Sequence, residues 1–423
     1  MCRHAFPDFI CTPSHPVLPM KELLRDFRLR RLLLANITGS IGSGVTIFAV
    51  PWLMVHQPGG NAAYGTVTVV TTIILFLFMP SYGVWVDHHS RKRMLLASEL
   101  FGLLATTTLA GVGAARGHYG LGSLAAVYFC GMLYYTLHFP AKYAFLQQIV
   151  DRAHYQSLMG LMEIQGQTAM MIAGGLGALL VAHVSLTTIL LLDAATYLFS
   201  FALQSTIPYE ATNLGDGLTP RPAVWRAIGE GWAWLRDRPR LTVFFTASYT
   251  PFIAVMVGNY LFPIYVTVTL HTGAWVFGAG EVVFALGAVA AGFWLPRLIA
   301  LHSARRTIPL TMALFALGLF VLVTLPSVPL YLAAGALLGF GHAGSRVARS
   351  ALLLHLVDNQ VMGRVGSFFN AYDRVLRTIL TSAAIALVAG AGVRTAFALL
   401  LVLVLGSWGL VRSTRDSIQP AAA

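Results

Sequence analysis

The chain has 423 residues, of which 57% are hydrophobic and only 10% are charged. This composition excludes a disordered chain and exceeds the apolar content of soluble domains, and three cysteines are too few for a disulfide scaffold. The formal net charge is +12, but the basic residues are scattered singly between long apolar runs. That pattern argues against a nucleic-acid-binding stripe and favours a membrane protein.

Twelve apolar runs are long enough to cross about 30 Å of hydrocarbon as helices. Residues 1–19 contain no continuous apolar stretch of the kind found in a cleaved signal peptide, so we expect the first run to act as its own insertion signal. The sequence therefore predicts an all-α integral membrane protein with twelve transmembrane helices. The runs lie at residues 32–56, 63–86, 94–115, 119–142, 156–183, 185–206, 241–268, 273–299, 306–325, 329–356, 364–390 and 393–412.

The positions of the basic residues predict the orientation of these helices. With the amino terminus inside, Arg116 and Arg394 fall on the outer side, and Arg374 and Arg377 fall within a span. Every other Lys and Arg falls in an inner tail, an inner loop or an adjoining span end. This asymmetry predicts a multi-pass protein with both termini in the cytoplasm. We expect the membrane to be a bacterial-type inner membrane.

The longest polar connection, residues 207–240, separates six spans from six. We predict a cytoplasmic tail at 1–31, a six-helix bundle at 32–206, the cytoplasmic linker at 207–240, a second bundle at 241–412 and a cytoplasmic tail at 413–423. The second part of the linker is predicted to form an amphipathic helix on the inner membrane surface, and a mobile charged linker is the alternative. Its apolar residues near one face are Trp225, Ile228, Trp232 and Leu235.

An internal repeat relates the two halves. Six positions recur at an offset of 207 residues, close to half the chain, and include a basic residue and an aspartate in the same frame. Two related six-span halves predict a substrate site at their interface and openings to alternate sides, which is the architecture of a transporter. The pairs are Ala141 and Ala348, Lys142 and Arg349, Ala144 and Ala351, Leu146 and Leu353, Val150 and Val357, and Asp151 and Asp358.

A glycine, an acid and a basic cluster stand together between spans two and three. Gly83 permits close helix packing, and Asp87 lies where a span ends. Arg91 and Lys92 can reach acids or carbonyl groups at the end of a neighbouring helix. We interpret the cluster as a conformational latch, and the alternative is an ordinary positive-inside loop.

These residues resemble the loop signature G-x-x-x-D-R-x-G-R-K of the major facilitator superfamily. His88 and Ser90 replace an arginine and a glycine of that signature. Residues 49–53 (AVPWL), 139–151 (FPAKYAFLQQIVD) and 191–199 (LLDAATYLF) resemble the branch that holds macrolide-type drug exporters and siderophore exporters. The resemblance implies two six-helix bundles, alternating access of the rocker type and proton-driven export of small amphipathic molecules.

Ionisable residues within spans are costly by about 2.5–3.5 kcal/mol or more at the helix centre, so they are functional candidates. Glu163 and Glu281 are the candidates for proton coupling. For Glu163 we also weigh recognition of a polar substrate group and a role as a hydrogen-bonded core acid. Glu281 lies about two turns in from the outer surface. Asp193 is expected to be structural.

Further polar residues within the spans are candidates to line a substrate cavity. Asp373 and Arg377 are four residues apart on one helix face, so they are also expected to pair with each other. The small polar residues of span one can instead serve helix packing. The cavity candidates are Asn36, Thr46, Gln167, Asp373, Arg374 and Arg377.

No motif for catalysis, ATP binding or a cofactor is found in the sequence. Cys2, His4, Cys11 and His15 do not have the spacing of a metal site, so we expect no metal. The sequence from Met20 reads like a natural beginning for this family, so the alternative to a translated tail at 1–31 is that residues 1–19 are an untranslated upstream extension.

The functional prediction is a monomeric secondary transporter in the lipid bilayer that exports small amphipathic molecules in exchange for protons and binds no nucleic acid. Two alternatives lie within transport, a facilitator and an importer of a small metabolite. Two lie outside it, a multispan membrane enzyme acting on lipid-linked substrates and a sensor with a transporter fold.

Overall fold

The computed structural model describes residues 25–150, 155–209, 224–357 and 359–417, and this part of the chain is helical without β-strands. The predicted extension at 1–19, together with Asp151 and Asp358 of the repeat, lies outside the described residues. The N half consists of α1 (Phe27–Val55), α2 (Gly60–His88), α3 (Arg91–Arg116), α4 (Leu121–Ile149), α5 (Tyr155–His183) and α6 (Leu186–Ser205).

A short linker helix, α7 (Val224–Arg236), connects the N half to the C half. The C half consists of α8 (Pro239–Ser248), α9 (Thr250–Ile264), α10 (Ala274–His302), α11 (Ala304–Thr324), α12 (Val328–Leu356), α13 (Asn359–Ala391) and α14 (Val393–Thr414).

The helices coincide with the predicted spans, and the protein is a multi-pass membrane protein. Within the described residues, 10 helical segments are long and apolar enough to cross a membrane. The two other spans, α4 and α12, have 29 residues each and carry more polar side chains. Because a helix needs about 20 mostly apolar residues to cross the hydrocarbon, whether they face lipid or other helices, the spans can be recognised directly in the sequence.

One predicted span differs from a single regular helix. In place of an uninterrupted helix over 241–268, α8 ends at Ser248, α9 begins at Thr250, and a π-helical turn follows at Tyr265–Thr269. Pro251 and Pro263 explain the irregularity, since neither can donate a backbone hydrogen bond to the preceding turn.

A few extensive helix contacts hold each half together. In the N half, α1 packs against α5 and α6, and α3 packs against α4 and α6. In the C half, α12 packs against α10 and α11, and α11 packs against α14. The halves meet along two seams, α5 against α10 and α2 against α13.

The repeated motif places a buried cation against an aromatic ring in both halves. Lys142 is 4% exposed and Arg349 is 3% exposed. The Lys142 ammonium lies 4.4 Å from the centre of the Phe139 ring, and the Arg349 guanidinium lies 3.7 Å from the centre of the Tyr249 ring. A buried cation over an aromatic face therefore recurs at corresponding positions.

The linker helix α7 packs on the C half. A Cβ atom at Gly231 would lie 2.3 Å from the backbone oxygen of Arg364, so glycine allows the close approach to α13. Leu235 is fully buried, but Trp225 is 57% exposed and Trp232 is 46% exposed. The four apolar residues of this helix thus differ in exposure, and the partly exposed Trp232 also contacts α13 by stacking on Phe368, with 5.4 Å between ring centres.

Candidate functional site

A cavity of about 180 Å³ lies between α5 of the N half and four helices of the C half. We name the ends of the molecule by the predicted orientation, so the outer end carries the loop between α1 and α2, and the inner end carries α7. The walls are mainly aromatic and aliphatic with a few polar groups, as is typical of sites for small organic molecules. Residues that line it include Gln167, Met170, Phe252, Met256, Asn259, Phe262, Glu281, Phe284, Tyr331, His342 and Arg346.

Glu281 is the acidic residue of the cavity wall. It projects from α10, and its carboxylate has no hydrogen bond or ion pair with any residue that the structure describes. An unpaired carboxylate among aromatic rings can attract a cation or take up a proton. Gln167, which the sequence also predicted for the cavity, belongs to the same wall and comes from α5.

His342 and Arg346 are polar residues of the cavity wall that sequence reasoning did not single out. Both project from α12, and the His342 ring stacks on Phe252 with 5.8 Å between ring centres. The His342 Nδ1 atom is buried and has no hydrogen-bond partner in the described part of the chain. One cavity thus combines an acidic residue, a histidine and an arginine.

The outer end of the cavity is closed by direct contact between the halves. A Cβ atom at Gly174 of α5 would lie 2.8 Å from the Cβ atom of Glu281, and one at Gly278 would lie 2.4 Å from the Cβ atom of Ala178. The Phe277 ring of α10 also stacks on Phe48 of α1, with 4.5 Å between ring centres. The small residues of α5 therefore bring its backbone against α10 next to Glu281.

Two predicted cavity residues, both on α1, are buried and do not line the main cavity. Thr46 donates a hydrogen bond from Oγ1 to Asp193 Oδ2 at 2.7 Å and lines a void of about 10 Å³ beside it. A void of that size holds about one water molecule. Asn36 is buried, and neither polar atom of its amide group has a hydrogen-bond partner among the described residues.

The charged residues of α13 form the ion pair that their spacing indicates. Arg377 donates from Nη2 to Asp373 Oδ2 at 2.5 Å, and the guanidinium lies 5.8 Å from the centre of the Phe252 ring. Arg374, the neighbour of Asp373 in sequence, is partly buried. The three charged residues are not among those that line the main cavity.

The basic residues of the predicted latch bind backbone carbonyl groups. Lys92 donates from Nζ to the carbonyl oxygens of Ser205 and Ile207, at 2.7 and 2.6 Å. Arg91 donates from Nη1 to the carbonyl oxygen of Ala144 at 2.7 Å. Together they attach the start of α3 to the inner ends of α6 and α4. The surroundings of Gly83 and the side chains of Asp87 and Glu163 lie outside the part of the chain that the structure describes.

Sequence reasoning missed a cluster of buried polar residues in the N half. Its centre is Glu99 of α3, which accepts a hydrogen bond from Gln204 of α6 and lies beside His138 of α4. The available signal was that each of the three is a polar residue within an apolar run. No local spacing could show that they meet, because they come from three helices far apart in the chain.

Comparisons with known proteins agree with this architecture. The family described as transmembrane secretion effector matches residues 22–353. The multidrug efflux pump Tap of Mycolicibacterium fortuitum is 24% identical over 352 residues, which cover 79% of this chain and 82% of that protein.

Solved structures share the fold at low sequence identity. A bacterial homologue of the iron transporter ferroportin in its inward-facing state has a TM-score of 0.74 at 16% identity, covering 93% of this chain and 99% of that chain. An outward-facing structure of such a homologue has a TM-score of 0.61 at 16% identity, covering 92% of this chain and 99% of that chain.

The family match extends over most of the chain, and the similarity to the efflux pump covers most of both proteins. The helices form the two-bundle architecture of the major facilitator fold, as the sequence predicted. The chain belongs to the transmembrane secretion effector family of major facilitator transporters.

Proposed function

We propose that the protein exports amphipathic small molecules in exchange for protons, and that Glu281 carries the exchange. The observation that supports this most directly is the position of Glu281. Its carboxylate borders the aromatic cavity, while its backbone lies at the contact between α5 and α10 that closes the outer end. Similarity to a multidrug efflux pump supports export of this class of molecule.

The physical basis of coupling is the cost of a buried charge. A carboxylate that faces a water-filled cavity can remain ionised, but one enclosed in a dry helix contact is costly unless it is neutralised. A cationic substrate group or a proton can provide that neutralisation. If the substrate and a proton bind at Glu281 in turn, release of the substrate on the outer side leaves the carboxylate able to bind a proton.

Alternating access is part of the proposal. The contacts at the outer end separate the cavity from that side, so we propose that substrate enters from the inner side in this conformation. Opening of the outer end requires α5 to move away from α10 and α2 to move away from α9 and α13. Glu281 then changes its surroundings in the same step, which links neutralisation of the carboxylate to the movement of the halves.

The test is transport in liposomes that contain a pH-sensitive dye, with ethidium as the first probe. The wild-type protein should move ethidium and protons in opposite directions. Glu281→Gln should lose ethidium-dependent proton movement and retain at most downhill ethidium flux. Asp237→Asn removes an exposed carboxylate outside the cavity and should behave like the wild type.

Three outcomes bear on the alternatives. Proton movement that persists unchanged in Glu281→Gln would exclude this residue as the coupling group, and a parallel Glu163→Gln variant would then test the other predicted acid. Ethidium flux without proton movement in the wild type would indicate a facilitator. If ethidium does not move but a catecholate siderophore does, the substrate class is anionic and His342 and Arg346 replace Glu281 as the candidate contacts.

A further inference from the structure

Glu99 is an acidic side chain enclosed by protein in the interior of the N half. It is 1% exposed, so it faces neither lipid nor the main cavity. Its Oε1 atom accepts a hydrogen bond from Gln204 Nε2 at 2.8 Å, and the Tyr134 hydroxyl donates to Oε2 at 3.4 Å. Three helices, α3, α4 and α6, therefore supply this carboxyl group and its donors.

His138 is the ionisable group in contact with Glu99. Its Nδ1 atom lies 3.4 Å from Glu99 Oε1 and 3.3 Å from Ser98 Oγ. Among the described residues, no Lys or Arg lies within 4.0 Å of the Glu99 carboxylate. A buried carboxylate without a neutralising group is strongly unfavourable, so the Glu99 and His138 pair is expected to share a proton, on oxygen or on nitrogen.

The other titratable groups around the pair come from the same helices. On α4, Lys142 follows His138 by one turn, and Tyr134 precedes it by one turn. On α6, Asp193 and Tyr197 lie close enough to act electrostatically on this cluster. The Asp193 carboxylate is bound by Thr46, and the Lys142 ammonium lies over the Phe139 ring and has no carboxylate within 4.0 Å among the described residues.

The pair lies about two helical turns deeper than the contacts of Arg91 and Lys92. Lys92 binds the carbonyl oxygen of Ser205, the residue after Gln204, and so attaches α3 to α6. Arg91 binds the carbonyl oxygen of Ala144, which attaches α3 to α4. The basic residues at the membrane surface and the buried cluster about two turns deeper thus connect the same three helices.

We propose that Glu99 and His138 form a proton-binding site of the N half, separate from Glu281, whose occupancy changes the packing of α3, α4 and α6 at the inner end. With the shared proton present, the pair is compensated and the three helices stay attached. Loss of that proton leaves a buried negative charge, so the helices must rearrange towards Lys142 or admit water. The site thereby connects proton binding to the region held by Arg91 and Lys92.

Infrared spectroscopy of the purified, substrate-free protein tests this proposal directly. A protonated carboxyl group gives a C=O stretching band that disappears on ionisation. In the wild type, one component of this band should titrate with pH, and Glu99→Gln should lack that component. Asp237→Asn, which removes an exposed carboxylate, should leave the buried component unchanged. An identical band titration in the wild type and Glu99→Gln would overturn the proposal.

A second variant keeps the test decisive if Glu99→Gln fails to fold. His138→Gln retains Glu99 but removes the group that shares its proton, so the midpoint of the Glu99 band should shift. An unchanged midpoint would overturn the proposed sharing. Because these measurements use neither substrate nor transport, their failure is distinguishable from a failure of Glu281-dependent export.

Transport provides a readout that a merely structural pair would not change. In proteoliposomes, Glu99→Gln should remove one step from the pH dependence of net ethidium flux, while ethidium exchange without net proton movement continues. Glu281→Gln should retain the infrared component assigned to Glu99. A pH profile of Glu99→Gln that parallels the wild type would contradict a coupling role for the pair.

Discussion

Tyr64 and Tyr260 each donate a hydrogen bond to the backbone of the opposite half at the outer end. The Tyr64 hydroxyl donates to the carbonyl oxygen of Asn259 at 3.1 Å, and the Tyr260 hydroxyl donates to the carbonyl oxygen of Asn61 at 3.3 Å. The rings are also in contact, with 5.6 Å between their centres. This reciprocal arrangement joins α2 to α9 on the side where the cavity is closed.

Removal of both hydroxyl groups should favour opening of the outer end. Each bond contributes about 1 kcal/mol net, so Tyr64→Phe with Tyr260→Phe should raise the ratio of outward-open to closed protein by a factor of about 30. Spin labels at positions 62 and 389, in a variant with the native cysteines replaced by serine, would report the distance between α2 and α13. Tyr119→Phe removes a comparable bond to Thr187 within the N half and should not lengthen that distance.

The contact of α5 with α10 should be intolerant of one added methyl group. Gly174→Ala places a Cβ atom 2.8 Å from the Cβ atom of Glu281, which is not the flexible end of that side chain. We expect the seam to open and the rate of transport to fall. Gly175→Ala is the matched control, since its Cβ atom would meet Val282 at an ordinary 3.9 Å. Equal transport rates in the two variants would contradict the role given to this seam.

Lys92→Ala should loosen the inner end of the N half. It removes two hydrogen bonds from a charged donor to the end of α6, and the expected loss of stability is about 1–3 kcal/mol. Thermal unfolding in detergent would measure this loss, and hydrogen exchange would locate it at 205–207. Arg93 is exposed, so Arg93→Ala should leave both measurements near those of the wild type.

Asp87→Asn tests the predicted latch in a way that separates binding from movement. If Asp87 controls conformational exchange without contacting substrate, turnover should fall while ethidium affinity stays nearly unchanged. Equilibrium binding in detergent and flux in liposomes would measure the two quantities on the same preparation. A large loss of affinity would assign the residue to substrate binding instead.

The ion pair of Asp373 with Arg377 should behave as a unit. Arg377→Met leaves a buried carboxylate without its cation and should cost about 3–5 kcal/mol of stability, whereas Asp373→Leu with Arg377→Met should cost much less. A double-mutant cycle by thermal unfolding would measure the difference. Arg28→Met breaks the more exposed pair with Asp26 and should cost no more than about 1 kcal/mol. Additive effects at Asp373 and Arg377 would contradict the coupling.

Chain-local features predicted the helical framework well. Gly117 adopts a left-handed conformation at the end of α3, and Ser185 caps the start of α6, so both helix ends lie close to the predicted span limits at 115 and 185. The spacing of Asp373 and Arg377 indicated their ion pair because helix geometry alone brings residues four apart together. The seventh span was described less well, since its two prolines alter hydrogen bonding within an apolar run.

The candidate site was predicted only in part. Glu281 and Gln167 were selected as polar residues within spans, and both lie on the main cavity wall. Thr46 satisfied the same criterion but lies against Asp193, and Asn36 is buried without lining the main cavity. The sequence does not show which neighbouring helix a polar side chain will contact, because that depends on how its own helix is rotated in the bundle.

By itself, the sequence determined a multi-pass helical membrane protein with two related halves and membership of a transporter superfamily, because hydropathy, charge asymmetry and short motifs are read along one chain. The tertiary structure decided which polar groups meet. Glu99 meets His138 and Gln204, and Tyr64 meets Tyr260, only after helices distant in sequence have packed. The burial that makes a charge costly, and therefore useful for coupling, is a property of that packing.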